Sequence, residues 1–135
     1  MNQNIKKKKR MKNLNDNFHL YFEYNEFDSP DVKGSYSYMN VPFLNKIAYA
    51  RKVAGCSFKI TSGYRTPEHN EKVGGVPSSS HIAGRACDIY APTSRQKFLI
   101  VSALLDAGFN RIGIAKNFIH VDDDPSKSED VIWTY

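Results

Sequence analysis

Cysteine is scarce in this chain: there are two, Cys56 and Cys87, and no paired-cysteine spacing. That excludes a cysteine-rich zinc finger and a disulfide scaffold; a single disulfide stays open, with two small buried thiols as the default. Long apolar runs are also missing, and none approaches the length of a membrane-spanning helix. The start, MNQNIKKKKRMKN, has the basic residues of a secretory n-region, but LNDNFHLYFEYNEF follows it instead of an apolar core. No signal peptide is therefore expected. The chain should be made in the cytoplasm, and reaching another compartment would need export by other means or lysis. There is no internal repeat, and no domain boundary is visible after residue 20.

What is present suits one ordinary domain. At 135 residues the chain can hold its own core, and a hydrophobic content of 41% makes it globular and not disordered. A monomer is expected. The formal charge of +5 comes mostly from Lys6 to Lys9 with Arg10 and Lys12; without that block the rest is close to neutral. The expected organisation is a basic flexible arm over residues 1–17 and a folded domain over residues 18–135. A terminal basic arm is ordinarily solvated, and its sharper use is as a tether to a polyanion such as nucleic acid, a cell wall or a capsid interior.

Along the domain, the aromatic stretch FHLYFEYNEFDSPD reads as a strand or an extended segment over the core, and DVKGSYSY as a loop. A helix is expected over NVPFLNKIAYARKVAG: Asn40 caps it, Pro42 suits its first turn, Gly55 ends it, and Leu44, Ile47, Ala48 and Val53 form its apolar face. FKITSGY reads as a short strand. Thr66 and Pro67 open a short helix that stops at Gly74. ACDIY is a second strand. The clearest helix follows, with Thr93 and Gln96 as a capping box, Phe98, Val101, Leu104 and Leu105 as its core stripe, and Gly108 closing it. FNRIGIA and FIHVD read as two strands turning near Lys116 and Asn117, and VIWTY as a last strand.

Strand alternation then decides which side chains meet. Ala86, Asp88 and Tyr90 share one face of ACDIY; Phe118, His120 and Asp122 share one face of FIHVD. His81, delivered by the serine run at residues 78–80, can join Asp88 and His120. Two imidazoles and one carboxylate suit a catalytic zinc, which takes three protein ligands and leaves a position for water, whereas calcium or magnesium would want more oxygens. A single histidine is better explained as a hydrogen-bonded structural residue; for the two histidines together with Asp88 the residues by themselves leave both readings equally open.

SSHIAGRACDIY resembles the S-x-H-x-x-G-x-A-x-D signature of the M15 zinc metallopeptidases, the D-Ala-D-Ala carboxypeptidase and phage endolysin group. Ser79, His81, Gly84, Ala86 and Asp88 fall on its positions. ITSGYRTPEHNEKVGGV is similar to the same group's S-G-Y-R-[ST]-P-x-x-N segment, and FIHVD to its closing H-x-D element. The resemblance implies an α+β domain of the hedgehog/DD-peptidase type, a small mainly antiparallel sheet covered by helices. It implies one zinc on His81, Asp88 and His120, with Arg65 as the cation on the substrate's carbonyl or carboxylate and Ser79 as a substrate hydrogen-bond donor. The implied activity is hydrolysis of peptide bonds in peptidoglycan stem peptides, at the cell wall or from a virion. One departure is visible: many relatives carry an acidic general base three residues before the last histidine, and here that position is Asn117. Asp122, on the same strand face as His120, is the expected substitute. His69 is expected to play a structural part beside the site. The rival readings are a zinc-binding module without activity and a structural virion component that uses the basic arm.

Overall fold

The structure is a computed structural model that describes residues 11–135. The basic block at residues 6–10 lies outside these. Three α-helices and five strands build the domain: α1 (Val41–Ala54), β1 (Ile60–Ser62), α2 (Pro67–Lys72), β2 (Ala86–Tyr90), α3 (Ser94–Asp106), β3 (Arg111–Ile114), β4 (Phe118–Asp122) and β5 (Val131–Thr134). The strands form one sheet in the order β1-β2-β4-β3-β5, antiparallel throughout except for the parallel β3–β5 pair. This is the α+β architecture with a mainly antiparallel sheet that the sequence suggests.

The local signals act as read. Asn40 accepts from the Phe43 amide and Gly55 closes α1 in the left-handed conformation. Thr66 accepts from the His69 amide to start α2. Thr93 and Gln96 exchange hydrogen bonds as a capping box at α3. These bonds satisfy amides that a helix start leaves without an internal partner.

One sheet face is the core. Cys87 and Ile89 of β2 and Ile119 and Val121 of β4 are fully buried there, under α1 and α3, which pack on each other. Burying each large apolar side chain contributes roughly 1.5–3 kcal/mol, and the alternation that places these four inward turns Asp88, His120 and Asp122 to the opposite face. Both cysteines are free thiols.

The core stripe of α3 differs from the expectation. Ile100, Ala103 and Leu104 are buried, while Phe98 is 66% and Leu105 48% exposed. Similarly, α1 buries Phe43 and Ala50 besides Leu44, Ile47 and Ala48, and Val53 faces out. The bulk between the helices comes from Phe43 against Phe109, whose rings lie 5.5 Å apart edge to face, so α3 presents small Ala103 to the interior.

The aromatic stretch is neither strand nor extended. It folds into 3₁₀ turns at Asp16–Leu20, Tyr24–Phe27 and Ser35–Tyr38, with Phe18, Phe22, Tyr24 and Phe27 buried in the core. Phe22 also carries the Arg51 guanidinium over its ring. Within residues 11–17, Leu14 is buried and the Asn15 amide donates to Asn45 Oδ1, so this part of the segment read as an arm packs on the domain.

Gly84 links these layers. Its φ is +70°, and a Cβ there would lie 2.1 Å from the Tyr38 carbonyl oxygen, while its own carbonyl accepts from the Asn40 amide. Gly84→Ala is expected to cost clearly more than the ~1–2 kcal/mol of a left-handed alanine. Gly55→Ala is the control, because Gly55 has φ +64° with nothing near a new Cβ. Urea midpoints compare them; equal losses would show that the close approach at Tyr38 is unimportant.

Candidate metal centre and cleft

The site is a row across the sheet. Register places Ser62 beside Asp88, Asp88 beside His120, His120 beside Gly113, and Gly113 beside Trp133. Gly113 matters for its missing side chain: a Cβ there would stand 2.7 Å from the Trp133 indole. The ring of Trp133 can therefore lie over the sheet next to His120, with centroids 5.6 Å apart.

His81 reaches this row from the loop before β2. Its Nδ1–H donates to the Gly63 carbonyl at 2.8 Å, which fixes the tautomer and leaves Nε2 aimed at Asp88 Oδ1, 3.3 Å away. His120 is held the other way round. Its Nε2 lies 2.8 Å from Asp122 Oδ2 and its Nδ1 2.9 Å from Asp88 Oδ1, so a metal on Nδ1 would leave the Nε2 proton to Asp122. All three residues are buried, and their ligand atoms lie within 4.8 Å of one another. With the inner nitrogens of both imidazoles unprotonated, their lone pairs and the Asp88 carboxylate converge on one point, where a metal cation would neutralise them. A tetrahedral site with bonds of about 2.0–2.2 Å places its ligand atoms roughly 3.3–3.6 Å apart; His81 Nε2 and Asp88 Oδ1 stand at 3.3 Å, and His120 Nδ1 is closer to the same oxygen at 2.9 Å. The group fits a metal ion.

Without a metal, the same contacts act as charge-assisted hydrogen bonds. Burial alone would raise the Asp88 carboxyl, but hydrogen bonds and charge from His120 and His81 outweigh it and hold it well below the usual carboxylate range. Burial would lower His120, yet Asp122 and Asp88 on its two sides raise it. Asp122 is also pushed up by burial and pulled down further by His120 and Arg111, with a net lowering.

A cleft of about 420 Å³ opens over the row, lined by the three ligands together with Arg65, Ser79, Arg111, Asp122 and Trp133 among others. Arg65 is fixed by its fork: Nε donates to Ser62 Oγ at 3.1 Å, Nη1 to Asn70 Oδ1 at 3.2 Å, and Nη2 lies 3.7 Å from Asp88 Oδ2. Ser79 lines the cleft, and its Oγ accepts from the His81 amide. Arg111, which the sequence reading passed over, donates from Nε to Asp122 Oδ1 at 2.7 Å and from Nη1 to the Ser128 carbonyl, with its guanidinium over Trp133. The alternation of RIGI could have exposed it, since Arg111 and Gly113 share a face while Ile112 is in the core.

A family model described as peptidase M15 matches residues 20–122. The chain belongs to the peptidase M15 family. The matched span holds His81, Asp88 and His120, so the M15 assignment and the metal-capable cluster fall on the same residues. A search of curated proteins finds no significant match.

The remaining expected residues are placed as follows in the M15 domain. Asn117 is exposed in the β3–β4 turn, outside the residues that line the cleft. Asp122 lines the cleft, but Oδ2 holds His120, and Oδ1 accepts from Arg111 and from the Asp124 amide. His69 sits on α2 beside Asp31, Glu68 and Lys72 in a separate depression. Among the described residues, no helix is long and apolar enough to cross a membrane.

Proposed function

We propose that this M15 domain is a zinc peptidase that hydrolyses peptide bonds of bacterial peptidoglycan, acting at the cell wall after lysis or export or from a virion. One observation carries the reading: His81, Asp88 and His120 converge, and the outer nitrogen of each imidazole is tied, one to Gly63 and one to Asp122. Such ties orient ligating histidines and raise their basicity. Zinc bound by these three residues would supply an activated water and polarise a carbonyl.

The chain's own residues do the rest. The Arg65 fork presents Nη2 to the cleft while Ser62 and Asn70 hold the other two nitrogens, a rigid donor for a developing oxyanion or a substrate carboxylate. Ser79 at the rim offers a hydroxyl to the substrate backbone. Trp133 walls the site beside His120 and limits water there. Asp122 is engaged by His120 and Arg111, so in this reading it orients His120 and does not itself accept the reacting proton.

Arg65→Lys should keep the fold and the metal and lose about 10²–10³ in turnover, the usual worth of one oxyanion donor. A lysine cannot bond Ser62, bond Asn70 and reach the cleft at once. Hydrolysis of purified peptidoglycan by this variant at the wild-type rate would remove Arg65 from the chemistry.

A second reading, a metal-holding module without hydrolysis, draws on the engagement of Asp122 by His120 and Arg111. Zymography on peptidoglycan separates the two: a cleared band supports the peptidase, and none at full metal occupancy supports the module.

A further inference from the structure

The loop between β4 and β5 returns a cation to the cleft. Lys127 lines it, and Nζ donates to Ser80 Oγ at 2.8 Å. Ser80 is buried next to His81, and its hydroxyl donates to Asp124 Oδ2 at 2.8 Å. Asp124 is buried too. Its Oδ1 accepts from the Ser126 amide at 3.0 Å and hydroxyl at 2.6 Å, and its amide donates to Asp122 Oδ1. Lys127 is therefore built into the wall through groups that also contact the metal site.

The hydrogen-bond count for Lys127 leaves capacity over. An ammonium has three donors. One goes to Ser80, and Asp124 Oδ2 at 3.8 Å attracts the charge but lies beyond hydrogen-bond reach. Two donors are left for the cleft. Arg111 is already neutralised by contact with Asp122, and Arg65 is divided among three partners. Along the lining, three cations (Arg65, Arg111 and Lys127) face two carboxylates (Asp88 and Asp122), with Asp124 behind Lys127 as a third, before any metal charge is added. Burial works to raise Asp124, but its Ser126, Ser80 and Lys127 contacts bring it down to about 2, so a carboxylate stands behind Lys127.

We infer that Lys127 is a specificity-determining residue that binds a second carboxylate of the substrate, remote from the scissile bond, and that this cleft selects anionic stem peptides over their amidated counterparts. The inference rests on the peptidase reading and names the substrate class for it.

The test uses the synthetic stem peptide L-Ala-γ-D-Glu-L-Lys-D-Ala-D-Ala and two analogues, one with the glutamate carboxylate and one with the terminal carboxylate turned into a carboxamide. Calorimetric binding to the zinc-loaded protein is measured alongside hydrolysis. A charge-assisted hydrogen bond of this kind is worth about tenfold or more in affinity. The wild type should bind the acid peptide about tenfold more tightly than one of the two amides. Lys127→Gln keeps a donor for Ser80 and loses the charge. It should weaken binding of the acid peptide by that factor, bind the amide as the wild type does, and keep its zinc; Lys127→Arg should recover part of the difference. Wild-type discrimination persisting in Lys127→Gln overturns the inference, as does a wild type that binds all three peptides equally or none. Discrimination without any cleavage would count against the peptidase reading alone, and cleavage without discrimination against the Lys127 assignment alone.

Discussion

His120→Ala is expected to lose metal and hydrolysis together. The ring supplies one of three ligands, and its removal also strands its neighbours: Asp88 loses the group at 2.9 Å and Asp122 the donor at 2.8 Å, both carboxylates being buried. A four-ligand structural zinc site is worth about 10–16 kcal/mol. One ligand's share is then roughly 2.5–4 kcal/mol, on the order of a hundredfold to several hundredfold in affinity. The unpaired carboxylates lower stability as well, by about 1–3 kcal/mol each at most, since Asp88 keeps His81 and Arg65 and Asp122 keeps Arg111. Competition against a chromophoric chelator reads the affinity, and release of new amino groups from purified wall reads the hydrolysis. Undiminished zinc affinity would remove His120 from the ligand set.

Asp122→Asn separates two roles for the same residue. The carboxylate accepts from His120 on one oxygen and from Arg111 on the other. An amide has one oxygen and one NH₂, so it can accept from one of these donors only, and its own donor then faces the other. Breaking a buried pair of this kind costs up to about 3–5 kcal/mol of stability. Loss of the partner that orients a ligating histidine typically lowers metal affinity by roughly 10–100-fold. At saturating zinc the variant should recover hydrolysis to within about tenfold, because the ligands and Arg65 are intact. A deficit of about 10²–10⁴ that zinc does not relieve would instead make Asp122 the proton acceptor, the role its place in the sequence suggests. Asn117→Asp is the matching control. It adds a carboxylate at an exposed turn outside the cleft and should change neither quantity.

The parts of this domain legible in the sequence are those fixed by short-range rules. Strand alternation in ACDIY and FIHVD places Ile89, Ile119 and Val121 inward and leaves Asp88, His120 and Asp122 on one face, as the buried core confirms. The caps of the helices follow from single side chains. Other features depend on contacts between distant segments. The aromatic rings of residues 18–27 have no steady period because they fill the end of the core from successive 3₁₀ turns. The stripe of α3 is set by where Phe43 and Phe109 already occupy space, which its own sequence does not carry. The row from Ser62 to Trp133 requires four strand registers at once. Ser80 meets Asp124 and Lys127 across 44 and 47 residues, and neither partner shows a local pattern that announces it.

The central claim is that a metal held by His81, Asp88 and His120 lets this M15 domain cut peptide bonds of the bacterial wall. The most direct measurement is mass spectrometry of fragments from purified peptidoglycan after incubation with the protein, run with metal, after chelation, and after zinc is restored. Fragments shortened at one defined peptide bond should appear with metal, vanish on chelation, and return with about one equivalent of zinc per chain. An unchanged fragment pattern after chelation, or no new peptide termini from the fully zinc-loaded protein, would contradict the account.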